Sequence, residues 1–178
     1  MPQIEICPAT SQDLEKLADL DHSYQTAFVW QMDRSLDGGQ ISTFFREIQL
    51  PRSVRVEYPH TATRLLETLP QAVVLVALYK STLVGYVSVK EQVIPQSAWI
   101  SDLMVVEKLR RQGIGTALVL AAQDWAMNNN LTRIFLEMQS KNYPAIRFAM
   151  KIGFEFCGYN DHYYTNQDIA LFFTRTQR

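Results

Sequence analysis

Residues 105–117 read Val105-Val106-Glu107-Lys108-Leu109-Arg110-Arg111-Gln112-Gly113-Ile114-Gly115-Thr116-Ala117, and this stretch decides the fold. Ahead of it, residues 99–106 have the apolar content of a strand. Behind it, Ile114, Ala117, Leu118, Ala121, Ala122 and Trp125 recur at helical intervals until Asn128-Asn129-Asn130 ends the pattern. Two glycines and two arginines therefore lie between a strand and a helix. Glycines let backbone N–H groups come close to an anion, and a helix N-terminus adds partial positive charge. Arg110 and Arg111 would add charge-assisted contacts to phosphate. A connecting loop with solvated arginines is the plain alternative. Two familiar nucleotide loops do not fit. A Walker loop needs Lys and then Ser/Thr after its second glycine, whereas Gly115 is followed by Thr116 and Ala117. The dinucleotide fingerprint wants a third glycine, at Leu118, and a strand that ends at the first glycine. A pyrophosphate site outside both nucleotide folds is the expectation.

Working outward, residues 72–80 and 83–93 are β-rich runs separated by Ser81-Thr82, a hairpin pattern. Residues 133–139 read as a strand, and residues 144–151 as a short helix closed by Gly153. Residues 153–164 and 169–174 read as a closing pair of strands. Toward the N-terminus, Ile4 and Ile6 alternate with polar residues before Pro8. Thr10-Ser11 then caps a helix carrying Leu14, Leu17, Ala18 and Leu20. Residues 24–70 carry the weakest signal: a turn at Asp37-Gly38-Gly39, a mixed segment with Phe44, Phe45, Val54, Val56, Tyr58 and Pro59, and a helix ending near Leu69-Pro70. The order β-α-(α)-β-β-β-α-β-α-β-β predicts an α/β domain with a mixed sheet.

Composition narrows the chemistry. The 178 residues suit one domain, 1–178, and 47% hydrophobic with 20% charged residues excludes a disordered chain. Seventeen Lys+Arg against 18 Asp+Glu leave a net charge of -1, which argues against a general nucleic-acid binder. The longest apolar run, residues 72–79, is far short of the roughly 20 residues of a membrane span. The start MPQIEICPAT has neither a basic flank nor an apolar signal core, so a cytoplasmic location is expected. Cys7, Cys157, His22, His60 and His162 are scattered, and no metal site is expected.

The pattern R-x-x-G-x-G at Arg110–Gly115, preceded by Leu103-Met104-Val105, resembles the acetyl-CoA signature of the GCN5-related N-acetyltransferase (GNAT) superfamily. Leu136-Glu137-Met138-Gln139-Ser140-Lys141-Asn142-Tyr143-Pro144-Ala145, followed by Phe148 and Lys151-Ile152-Gly153-Phe154, is similar to that family's last strand–helix–strand unit. The resemblance covers roughly residues 4–173, with 24–70 matched poorly. It implies a mostly antiparallel sheet flanked by helices, with the fourth and fifth strands splayed around the pantetheine arm of acetyl-CoA, the acyl-donor co-substrate. By position, Leu103, Met104 and Val105 would hold that arm, and an N–H near Val105 would face the thioester oxygen. Backbone amides of Arg111, Gln112, Gly113, Ile114, Gly115 and Thr116 would wrap the pyrophosphate, and Asn142 would bond the pantetheine or cap its helix.

Acyl transfer to an amine needs a neutral nitrogen, hence a base. In strand 133–139, Ile134, Leu136 and Met138 share one face, which leaves Phe135, Glu137 and Gln139 on the other. A carboxylate on a central strand is costly unless solvated or functional. Glu137 stands five residues before Asn142, as the catalytic glutamate does in ribosomal-protein alanine acetyltransferases, so it is the expected base, with Asp102 in reserve. A glutamate at a wet strand end is the bland reading. The family's usual acid, a tyrosine seven residues after the asparagine, is replaced by Ala149; a thiol of pKa about 8.5 is a tolerable leaving group unaided, or Tyr143, Tyr163 or Tyr164 could supply the proton, Tyr164 being the candidate among them.

The loop Asp-His-Tyr-Tyr-Thr-Asn, 161–166, resembles that of the ribosomal-protein alanine acetyltransferases, which implies a peptide amine. Gln123-Asp124-Trp125-Ala126, with Leu136 through Gln139, Asn142, Pro144 and Ala145, resembles streptothricin acetyltransferases, which implies a small-molecule amine. Residues 24–33, with Phe28, Trp30 and Met32, would line a pocket or pack a core. A non-catalytic acyl-CoA-binding module and a homodimer are the other expectations left open, with neither nucleic acid nor membrane as partner.

Overall fold

Two long strands occupy the stretch in which the sequence carries least signal. In this computed structural model, which describes residues 3–91 and 93–176, the chain runs β1 (Glu5–Pro8), α1 (Ser11–Ala18), β2 (Tyr24–Asp37), β3 (Gln40–Val56) and α2 (Ala62–Thr68). It continues with β4 (Val73–Tyr79), β5 (Thr82–Glu91), β6 (Ser97–Val105), α3 (Ile114–Asn128), β7 (Arg133–Gln139), α4 (Tyr143–Lys151), β8 (Glu155–Asn160) and β9 (Ala170–Thr176). Gln92, inside the expected run 83–93, and the two residues at each end of the expected domain lie outside the described residues. The expected closing strand 153–164 ends at Asn160, and the residues after it form a turn.

One sheet has the order β1-β4-β5-β6-β7-β9-β8, antiparallel at every junction except β6–β7. Local chemistry sets its ends. Thr10 opens α1, its N–H donating to the Asp13 carboxylate at 2.9 Å, a reciprocal cap. Lys80 and Ser81 turn β4 into β5 with φ of 48° and 61°, the left-handed conformation that suits the twist of a tight hairpin. One face of the sheet packs Ile100, Ile134, Leu136 and Met138 against Ile114, Leu118 and Ala122 of α3 and Ile146 of α4. The other packs Val74, Val76, Tyr86 and Met104 against Leu17 of α1 and Leu65 of α2. The face assignment of β7 read from alternation therefore holds.

In β6 the alternation breaks. Ser88 pairs with Asp102 but Val89 with Ile100, so Ser101 is an extra residue, a β-bulge. One inserted residue reverses the side-chain faces of all that follows. Ala98 and Ile100 point to the α3 face, whereas Met104 beyond the bulge points to the α1 face. At the same place β6 and β7 part: their parallel pairing runs from Ser97–Arg133 to Ile100–Leu136 and stops. The splay implied by the resemblance is thus present between β6 and β7, and the bulge coincides with its start.

Residues 24–56, within the weakly signalled stretch, form an antiparallel two-stranded hairpin that turns at Gly38-Gly39, where a turn was expected, and the mixed segment after it is the second strand. Its pairing jumps from Thr26–Val54 to Phe28–Gln49, and the surplus residues surround Pro51, which lacks an N–H for the ladder. The hairpin lies across the C-terminal half of the domain. Phe28 packs on Tyr143 with ring centres 5.0 Å apart, and Trp30 N–H donates to Ser140 O at 3.0 Å. Thr43 and Tyr159 hydroxyls are 2.9 Å apart, and Arg34 pairs with Asp161 at 3.0 Å.

Candidate active site

Where β6 and β7 separate, a cleft of about 530 Å³ opens between the two faces of the sheet. It is lined from the α4 side by Met138, Asn142, Ala145 and Phe148, and from the α2 side by Tyr58, Pro59 and His60. A second cleft of about 940 Å³ lies toward α2, lined among others by Arg64, Lys90, Trp99, Asp102 and Tyr163. His60, Ser101, Glu137 and Tyr164 belong to the walls of both, so the clefts meet at these four side chains. Sequence reasoning placed Glu137, Asp102 and Tyr164 near one another and missed His60, Ser101 and Trp99. For His60 the only signal was chemical type; its partner is 42 residues away in sequence.

Glu137 is half-buried. Its Oε2 accepts from Trp99 Nε1–H at 2.9 Å and from the Tyr163 hydroxyl at 2.8 Å. Trp99 is held for this by stacking on Phe135, centres 5.0 Å apart. Burial, followed by the Glu137 charge, pushes the phenol of Tyr163 up, and Tyr164, buried and facing Glu137, Tyr163 and Asp102, moves the same way. Both phenols keep their protons at any working pH, so Tyr164 is equipped to donate a hydrogen bond; proton transfer from it to a thiolate would be uphill.

Asp102 is 4% exposed and saturated with donors: Tyr58 O–H and His60 Nδ1 at 2.5 and 3.2 Å on Oδ1, and Ser101 O–H at 2.8 Å on Oδ2. Burial pushes its carboxyl up, but the hydrogen bonds from His60, Tyr58 and Ser101 outweigh this, and it lies below its ordinary value. Asp102 thus lines the second cleft with both carboxylate oxygens already engaged by protein donors. Behind it, His22 Nδ1 stands 2.7 Å from Leu20 O and Nε2 2.9 Å from the Tyr86 hydroxyl. A carbonyl can only accept, so Nδ1 carries the proton and Nε2 receives one from Tyr86.

The glycine loop has the form of an anion cradle. Arg111 and Gly113 both have left-handed φ, 64° and 88°, and Gly113 opens α3. Ala117 N–H is the amide that closes the first helical turn, on Gly113 O at 3.0 Å, so the amides ahead of it point out of the helix start. The side chain of Ile114 is buried in the core under α3, which leaves its backbone amide at the helix start. Arg110 is turned back onto the protein. Its Nε donates to Val105 O at 2.8 Å and its Nη2 to Ser23 O at 3.0 Å. Two carbonyls at the end of β6 and ahead of β2 need donors, and Arg110 is turned back to supply them. Arg111, exposed, is the arginine left facing outward.

Beyond Ile100 the β7-facing edge of β6, with Leu103, Met104 and Val105, has no strand partner, so its edge suits an amide-bearing extended arm. Asn142 Oδ1 accepts Ala145 N–H at 3.2 Å and caps α4, which leaves its amide NH₂ for the cleft. The cap and ligand readings are therefore compatible. Ala149, at the position of the family's acid, is fully buried in the core. Tyr143 is packed on Phe28 and does not line either cleft.

Comparison with known proteins agrees with this geometry. The family model described as "Acetyltransferase (GNAT) family" matches residues 42–154. A streptothricin acetyltransferase of Streptomyces lavendulae is 26% identical over 166 residues, which are 90% of this chain and 86% of that protein. An uncharacterized N-acetyltransferase of Bacillus subtilis, YobR, is 34% identical over 65 residues, but the match spans only 36% of this chain and 26% of that one. The crystal structure of a nourseothricin acetyltransferase superposes with a TM-score of 0.83 at 23% identity, covering 97% of this chain and 98% of that one. The chain belongs to the Acetyltransferase (GNAT) family, enzymes for which acetyl-CoA is the acyl donor.

Proposed function

We propose that the protein moves the acetyl group of acetyl-CoA to a primary amine of a small molecule, by direct attack of the amine on the thioester. The observation that carries the proposal is the meeting of two clefts through the gap between β6 and β7, at Glu137. The pantetheine arm would lie along Leu103, Met104 and Val105 and under Asn142. The pyrophosphate would rest on the amides of Arg111, Gln112, Gly113, Ile114, Gly115 and Thr116, beside the Arg111 guanidinium. The amine would enter from the cleft toward α2.

An amine at neutral pH arrives as ammonium, and the half-open carboxyl group of Glu137 is placed to anchor it and to take its first proton to solvent. A backbone N–H near Val105 would receive the charge that develops on the thioester oxygen, and Tyr164 supplies a further donor at the junction. Asp102 orients and does not touch the substrate. Near-complete coverage of the streptothricin acetyltransferase supports a small-molecule acceptor of streptothricin type, and a cytoplasmic enzyme is the setting in which we place this reaction. Among the described residues no helix is long and apolar enough to cross a membrane.

Thiol release from acetyl-CoA, measured with streptothricin-type antibiotics, polyamines, N-terminal peptides and lysine peptides, tests the proposal. Acetylation of the antibiotic arm, confirmed by mass, is the expected result. Acetylation confined to peptides replaces the acceptor class. Acetyl-CoA binding without transfer to any amine would make the chain a binding module.

A further inference from the structure

In this reaction two protons leave the acceptor nitrogen: one frees the amine, and the second must pass from the tetrahedral intermediate while the sulfur gains one. The position at which the family usually carries a tyrosine for the sulfur is Ala149, buried in the core, and Tyr164 is a poor proton donor. A thiolate can leave unaided near neutrality, but a proton donor at the junction would speed its departure.

His60 has the required arrangement. Asp102, an ionised carboxylate, contacts its Nδ1 at 3.2 Å, so that nitrogen carries the proton and Nε2 keeps a lone pair. Nε2 has no protein partner among the described residues. Nor is it a buried orphan, since the one buried side-chain nitrogen or oxygen without a partner among them is Trp30 Nε1. It is therefore open to the clefts, and His60 lines both. Tyr164 lies against the ring, centres 5.8 Å apart, and Tyr58 on its other side, 5.3 Å. These contacts, with the buried Asp102, fix the imidazole where an incoming amine and a departing sulfur would face each other.

The geometry points to His60 as the proton relay of acetyl transfer, taking the proton of the intermediate's nitrogen on Nε2 and delivering it to the sulfur of CoA, with Asp102 as its positioning residue. The inference rests on the acetyltransferase reading above. The steps balance. Glu137 takes one proton from the ammonium and releases it to solvent; the amine nitrogen bonds to the acetyl carbon; the C–S bond breaks with its electrons on sulfur; His60 transfers the second proton from nitrogen to that sulfur. The sum is ammonium plus acetyl-CoA giving amide, CoA thiol and one solvent proton. Imidazolium is by its nature a stronger acid than a thiol, which is the direction the delivery requires. The charged and titratable groups around His60 are Asp102 of β6, Glu137 of β7, Tyr164 of the β8–β9 turn, Tyr58 of its own segment and His22 beyond Tyr58, with Arg64 of α2, Lys90 of β5 and Tyr163 on the walls of the same cleft.

Two measurements decide it. In the wild-type protein, ¹⁵N imidazole spectra of His60 are recorded with CoA and with desulfo-CoA. A shift of the Nε2 signal with CoA that is absent with desulfo-CoA is expected. Backbone amides of Gly113 and Gly115 moving with both ligands while His60 responds identically to both would overturn the relay and leave the acetyltransferase reading intact. No movement anywhere would overturn both. In kinetics, His60→Asn keeps a donor toward Asp102 but has no base. It should lower kcat at least tenfold, remove a limb of the kcat–pH profile between pH 6 and 9, roughly the span in which imidazole and amine titrate, and leave the KM for acetyl-CoA within about twofold. Wild-type kcat with an unchanged profile would sink the relay.

Discussion

Glu137 and Asp102 sit on adjacent strands, each accepting hydrogen bonds from neighbouring side chains, yet the molecule uses them differently. Glu137 takes two donors, Trp99 and Tyr163, on one oxygen and stays half-open to both clefts. Asp102 takes three, Tyr58, His60 and Ser101, and is almost wholly buried. Donor count and exposure, more than the carboxylate itself, separate the two, and on the proposed mechanism they make Glu137 the group that meets substrate and Asp102 the one that acts through a neighbour. The bulge at Ser101 sets the contrast, since it re-aims β6 so that Asp102 turns toward α2.

Substitutions at the two carboxylates sharpen the difference, beginning with the largest effect. Glu137→Gln should cut kcat by about 10²–10⁴-fold, the range of a lost general base, with acetyl-CoA affinity and urea stability near wild type. A kcat equal to wild type would erase the functional side of the comparison. Asp102→Asn should act mainly on stability, by about 1–3 kcal/mol in urea unfolding, because it leaves buried donors imperfectly paired. Its kcat should fall less than that of Glu137→Gln.

The acid limb of stability extends the same contrast. Asp102 is held below its ordinary value, so its contribution is complete above about pH 4, where an unfolded carboxyl ionises, and is lost as pH falls through the lower folded value. His22, pushed down by burial, acts at higher pH. It favours the folded state fully above about pH 6.5, and that advantage erodes as pH falls toward the folded value. Urea titrations at pH 7, 5 and 3 should show His22→Gln flattening the upper step and Asp102→Asn the lower. The smallest effect belongs to Trp99→Phe, which keeps the stack on Phe135 and removes one donor to Glu137. A change of roughly fivefold or less in kcat/KM is expected, about 1 kcal/mol.

The site was legible in the sequence where its residues are neighbours in the chain. Gly113, Arg111 and the start of α3 form one continuous motif, and Glu137 followed by Asn142 another, so spacing alone set them on a loop, a strand and a helix N-terminus. His60, Trp99 and Tyr58 were illegible because they act through partners that tertiary folding supplies, Trp99 across the β6–β7 junction, His60 and Tyr58 from a loop after β3. Arg110 is a related case: its place in the motif suggested phosphate, and the carbonyls it serves, above all Ser23 O, come from elsewhere in the chain. The hairpin was obscured by its own composition. Its inner residues Phe28, Trp30 and Phe45 alternate with polar ones only in part, and Pro51 with the register jump breaks the period of β3. The splay itself could only come from the resemblance, since no residue pattern records that two strands stop pairing.

The hairpin bears on the order in which this chain folds. Its own ladder is local, closed by a turn at Gly38-Gly39, and needs no distant contact to form. Its anchors are the opposite: Tyr24 O–H to Gln139 spans 115 residues and Thr43 to Tyr159 spans 116. Closing such long loops is entropically expensive and slow compared with local pairing. During synthesis β2 and β3 leave the ribosome long before Gln139 and Tyr159 exist, so the hairpin must wait, preformed or pairing elsewhere. Its docking then braces Ser140 and Tyr143, the residues that flank Lys141 and Asn142 at the start of α4. The last event of folding and the first moment of competence for catalysis would then be the same step.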